Sequence, residues 1–103
     1  MTVDEGVRMV GRGWSPLIKI IVSKINGDRI FDIKEKYGTL SVYLNSGGTD
    51  QEYEFIEAIE RLSGTICESC GKIGTIRETS WIKTLCNKCY EKRQNDLRYS
   101  EQE

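Results

Sequence analysis

Histidine is absent from all 103 residues. With it go the commonest general base and every nucleophile arrangement of the Ser-His or Cys-His kind. A glycine-rich phosphate cradle is missing too: Ser46-Gly47-Gly48-Thr49 lacks the lysine and the spacing of a P-loop and reads as a turn. Asp32, Glu35 and the acids after residue 50 show no spacing that selects a catalytic carboxylate pair over solvated surface. These absences point away from an enzyme. No apolar run approaches the roughly 20 residues that cross a bilayer, and MTVDEGVRMV has neither the basic start nor the apolar core of a signal peptide. A cytoplasmic location is the expectation.

Charge of one sign is also lacking, since the formal net charge is -1, so the whole chain feels no pull toward nucleic acid or anionic membrane. Charge is nonetheless uneven. Residues 50–62 hold five acids against one base, which reads as a solvated helix face or as a surface for a basic partner. Residues 67–99 hold seven bases against four acids. Four thiolates around one Zn2+ would cancel most of that excess.

Proline occurs once, and its position is informative. Ser15-Pro16 suits an N-cap followed by the first helical residue, and Leu17, Ile18, Ile20, Ile21, Val22 and Ile25 follow at helical spacing. A helix is predicted over residues 15–26, ended by Asn26-Gly27-Asp28. Residues 29–45 read as a hairpin turning at Gly38: Phe31 and Ile33 alternate with Asp32 and Lys34, then Leu40, Val42 and Leu44 with Ser41, Tyr43 and Asn45. Thr49 and Glu52 stand at capping-box spacing, and Tyr53, Phe55, Ile56, Ile59 and Leu62 predict a second helix over residues 50–63. The first dozen residues, broken by Gly6, Gly11 and Gly13, read as a flexible lead-in.

The strongest signal is Cys67-x2-Cys70 and Cys86-x2-Cys89 with fifteen residues between the pairs. Each pair brings two sulfurs to one ion through a tight turn, and two pairs complete a tetrahedron. In a reducing compartment such pairs hold a metal more readily than they form disulfides. Separate thiols, an iron–sulfur cluster and a redox dithiol are the competing readings; the spacing favours one structural Zn2+, closed to water by its four ligands. Strand-prone Thr75, Ile76, Trp81, Ile82, Thr84 and Leu85 flank Glu78-Thr79-Ser80, and a helical stretch begins at the second pair. Knuckle, hairpin, then helix is similar to the order of a treble-clef zinc finger.

The expected architecture is α+β: a lead-in over 1–13, an α-β-β-α domain over 14–64, a treble-clef-like zinc-binding module over 65–99 and a tail over 100–103. KEKYGTLSVYLN, preceded by GWSPL and followed by CESCGKIG and WIKTLC, resembles a group of small bacterial and bacteriophage proteins. In these a helix, a KEK-aromatic-GTL hairpin and a cysteine-pair module recur. The likeness spans roughly residues 13–90. Second-pair positions in that group often include histidine, where this chain has Cys89. The resemblance implies no particular activity, but a phage setting implies a protein that binds and modulates a host protein. Tyr37, Tyr43 and Trp81, with Trp14, are candidate anchors for such a partner, core packing being the competing reading. The alternative is nucleic acid bound through Lys72, Lys83, Lys88, Lys92 and Arg93, with Arg77 and Arg98, against a reading of these as solvated surface.

Overall fold

A capping box starts the first helix. Thr2 Oγ1 accepts from the Glu5 N–H while the Glu5 carboxylate accepts from the Thr2 N–H, which sets α1 at Val3–Val10. The structure is a computed structural model describing residues 1–78 and 81–101, the last five by their backbone alone. Val3, Val7 and Val10 recur at helical spacing and pack against the core. Gly6 lets the helix come so close that an added Cβ would lie 2.9 Å from Ile18 Cγ2. The lead-in expected over residues 1–13 is therefore corrected: it is a packed helix followed by a 3-10 turn, Arg12–Trp14. Its glycines serve close approach.

That turn runs straight into α2, Ser15–Ile25, so Ser15 is itself helical and Trp14 takes the N-cap position predicted for the serine. Pro16 falls in the first turn, where its missing N–H has no intrahelical acceptor to leave empty. Leu17, Ile18, Ile21 and Ile25 are buried. At the end of α2 it is Asn26, with φ 75°, that turns left-handed, its side chain accepting from the Asp28 N–H.

The predicted hairpin is β1, Ile30–Lys36, paired antiparallel with β2, Thr39–Leu44. Tyr37 and Gly38 make the two-residue connection with φ of 53° and 83°, the positive pair of a type I′ turn. One expectation fails in β1: Phe31 does not share the buried face with Ile33. A register shift between Ile30 and Asp32 puts an extra residue in the strand, so Ile30 and Ile33 both face inward and Phe31 is left 70% exposed.

Helix α3, Asp50–Ser63, begins at the predicted Thr49/Glu52 capping box and buries Ile56, Ile59 and Ser63. Tyr53 and Leu62, read as part of its apolar stripe, stay exposed. The helix stands where a third strand would. Ser63 Oγ accepts from the Leu40 N–H at 2.8 Å and Glu60 Oε2 from the Val42 N–H at 2.9 Å, so side chains satisfy the edge of β2.

The remainder is a second two-stranded sheet, β3 Thr75–Arg77 and β4 Lys83–Leu85, followed by α4, Asn87–Glu101. The order is the predicted knuckle, hairpin and helix. Thr79 and Ser80 of the expected turn lie outside the described residues, as do residues 102–103 of the expected tail; residues 100 and 101 of that tail belong to α4. No helix among the described residues is long and apolar enough to cross a membrane.

Candidate metal centre

Cys67 and Cys70 sit on a knuckle closed by its own backbone. The Cys67 N–H donates to the Lys72 carbonyl at 2.7 Å and the Gly71 N–H returns to the Cys67 carbonyl at 2.9 Å. Gly71 holds φ at 86°, a conformation that a side chain would strain. Cys86 precedes α4 and Cys89 lies in its first turn, so the helix period returns both sulfurs to one side. The Cys89 N–H points at Cys86 Sγ, 3.4 Å away, and the sulfur thereby takes up a free donor of the helix start.

All four Sγ atoms lie within 4.8 Å of one another, and Cys70 and Cys86 are 3.6 Å apart. Zn–S bonds of about 2.3 Å in a tetrahedron require sulfurs about 3.8 Å apart. The cluster therefore fits one metal ion held by four thiolates, with Cys67 buried and Cys70 the most open member. Thiols packed this closely titrate against each other. The Cys89 N–H draws Cys86 down to about 7. Burial and donation to neighbouring sulfurs push Cys89 up to about 12. Cys67, although burial opposes its ionisation, is held below the usual thiol value by the N–H groups of Cys86, Cys70 and Ser69. A cation is what allows all four to ionise together.

The knuckle is tied to the rest of the chain through contacts that the sequence did not announce. The Gly13 N–H donates to the Glu68 carbonyl at 2.8 Å, and the indole N–H of fully buried Trp14 donates to the Ile66 carbonyl at 2.8 Å. Trp14 is thus core and not an interface anchor. Lys83 bridges Glu68 at 2.7 Å and Glu35 of β1 at 3.1 Å. Thr84 donates its hydroxyl to the Gly38 carbonyl and its N–H to Glu68 Oε2. Burial and the adjacent Glu68 raise the Glu35 carboxyl to about 7, with Lys83 opposing.

Of the bases predicted to meet nucleic acid, Lys83, Lys92 and Arg93 line one cleft of about 430 Å³ beside Cys70 and Cys89, joined by Arg12. Lys72 and Lys88 are exposed and do not line it. Arg77 is bound to the Leu85 carbonyl and to Asn87 and lies over the Tyr90 ring, so it is a stitch between β3 and α4. The Arg98 side chain lies outside the described residues. Of the aromatic candidates, Tyr37 and Trp81, 73% and 65% exposed, share a second cleft of about 330 Å³ with Glu35, Lys36 and Ile82. Tyr43 lies at the other end of the hairpin, opposite Asp32. The Ser46–Thr49 loop is the turn it was read as, held by the Gly48 N–H on the Tyr53 hydroxyl and by Arg29 on the Gly47 carbonyl.

The four sulfurs thus form one cluster whose knuckle is hydrogen-bonded to the N-terminal turn through Gly13 and Trp14. No family model, no curated protein and no solved structure matches this chain.

Proposed function

We propose that Cys67, Cys70, Cys86 and Cys89 hold one structural Zn2+ and that the chain is a zinc-stabilised binding protein of the cytoplasm, of phage type, which recognises and modulates a host protein. The observation that carries the metal is the cluster of four Sγ atoms within 4.8 Å. Four thiolates leave the ion no open position, and with no histidine in the chain the metal serves folding and the protein is not an enzyme. What supports a protein partner is the pair of exposed aromatics, Tyr37 and Trp81, bordering one cleft, the residue types that anchor protein interfaces. Elemental analysis should return one zinc per chain, and cobalt should give the spectrum of a tetrahedral tetrathiolate. Metal-free protein, or helix content unchanged by chelator and by Cys70→Ser, refutes the reading.

A second reading, nucleic acid on the basic face of the zinc module, is favoured by the convergence of Arg12, Lys83, Lys92 and Arg93 on one cleft. Its mark is oligonucleotide binding that weakens steeply with salt and is lost in the double variant Lys92→Gln, Arg93→Gln.

A further inference from the structure

The tip of the first hairpin holds a residue that folding alone does not justify. Tyr37 sits at φ 53°, a conformation that disfavours any residue with a Cβ and that asparagine or glycine relieves in this kind of turn. Its ring is 73% exposed, so little packing within the chain offsets that strain. Strain retained at a solvent-facing aromatic is the pattern of a contact made with something else.

The surroundings define what that something is. Tyr37, Trp81, Ile82 and Lys36 border a cleft of about 330 Å³, room for one large apolar side chain. The cleft is preformed, because Thr84 and Lys83 of β4 hold the turn through Gly38 and Glu35, and a preformed site loses less entropy on binding. Lys34 and Lys36, two apart on β1, share the outer face of the hairpin and are exposed. The acid on that face is Asp32, already within 3.5 Å of Lys34, while Glu35 faces inward to Lys83. The acids of α3 belong to the helix that packs on the β2 edge through Ile56, Ile59 and Ser63, away from this outer face. A negative partner is repelled there and drawn to the hairpin.

Resting on the reading of the chain as a protein-binding module, we propose that the Tyr37–Trp81 cleft receives a large apolar side chain from an acidic protein segment whose carboxylates meet Lys34 and Lys36. Two lysines are few beside the six or more phosphate contacts of strong nucleic-acid binders, whereas aromatics with a sparse charged rim match a protein interface.

The test pans a library of random twelve-residue peptides against the zinc-loaded protein, then measures synthesised hits against the parent and variants, with oligothymidylate as a second probe. Hits should carry Trp, Phe or Leu flanked by Asp or Glu. Trp81→Ala should weaken them by roughly 30-fold, and the double variant Lys34→Gln, Lys36→Gln should weaken them several-fold and remove most of their salt dependence. Tyr37→Asn, which keeps the turn, should weaken them without loss of thermal stability. Hits lacking net negative charge, or indifferent to Trp81→Ala, overturn this inference and leave the protein-binding reading standing. A library without hits overturns the inference, and oligothymidylate bound in their place overturns that reading as well.

Discussion

Gly13→Ala should weaken zinc binding although Gly13 is no ligand and lies 54 residues before Cys67. A Cβ on Gly13 would stand 2.1 Å from the Cys67 carbonyl oxygen and 2.5 Å from the Glu68 carbonyl carbon, both inside the 3.0 Å below which real Cβ contacts essentially do not occur. Every atom in the clash is backbone or the Cβ itself, so no rotamer relieves it. Either the Arg12–Trp14 turn lifts off the knuckle, breaking the Gly13 N–H bond to Glu68 and straining the Trp14 indole bond to Ile66, or the knuckle bends. Two hydrogen bonds at about 1 kcal/mol each, with partial loss of packing around a fully buried tryptophan, amount to about 3 kcal/mol. If the strain falls on the knuckle, that is about two orders of magnitude in metal affinity.

The assay is competition against a chromophoric chelator, run beside urea unfolding of the loaded protein. Gly64→Ala is the control. Gly64 ends α3 at φ -68°, ψ -5°, and its added Cβ would meet nothing nearer than 3.4 Å, so stability should hold or rise by about 0.5 kcal/mol. A Gly13→Ala protein with zinc affinity within threefold of the parent and an unchanged unfolding midpoint would refute the claim that the N-terminal turn buttresses the metal site.

Ser63→Ala removes the acceptor for the buried Leu40 N–H and should cost about 1–3 kcal/mol in urea unfolding; a loss under 0.5 kcal/mol would mean that α3 does not complete the β2 edge. Glu35 has its carboxyl raised from 4.5 to about 7 by burial and by Glu68, so the folded protein keeps a proton that the unfolded chain releases. Stability from this group is therefore greatest below about pH 4.5 and falls as pH rises to about 7. In zinc-loaded protein Glu35→Gln should flatten that part of the curve, and parallel curves for parent and variant would count against a carboxyl raised by burial and by Glu68. Tyr37→Asn should raise stability by about 1 kcal/mol by relieving the left-handed position; a melting temperature lowered by several degrees would show that the ring packs usefully at home.

What the sequence made legible were features written in local chemistry. The cysteine spacing located the four-sulfur cluster, and the capping box at Thr49 and the terminating Gly64 bounded α3 to the residue. Thr2 and Glu5 carry the same capping signature, and Val3, Val7 and Val10 the same period, yet three glycines in one short segment masked them. Gly6 and Gly13 are there because Ile18, Ile33 and the knuckle backbone press against them, a reason that exists only in the folded chain. The Phe31 eversion escaped notice for a related cause: a bulge changes the strand period by one residue and leaves no mark in composition. The Glu35–Lys83–Glu68 bridge joins positions up to 48 residues apart, and nothing local to any of the three announces it.

The charge of a loaded centre bears on which cations are available to a partner. Four thiolates around Zn2+ carry -2, and Glu68, 3% exposed and adjacent to Cys67, adds another negative charge at the same place. Lys83 answers Glu68 directly, while Arg12, Lys92 and Arg93 line the cleft that opens on Cys70 and Cys89. These bases would offset the field of a loaded site, while Lys72 and Lys88 stay exposed and outside that cleft. On the hairpin Lys34 lies 3.5 Å from Asp32 and Lys36 is exposed. Three of the C-terminal bases, Lys83, Lys92 and Arg93, thus lie at the cysteine cluster, whereas Lys34 and Lys36 lie on the hairpin that ends in the exposed Tyr37. That coincidence of field and apolar contact is what the proposed recognition surface requires, and under that proposal the cysteine module serves as its support.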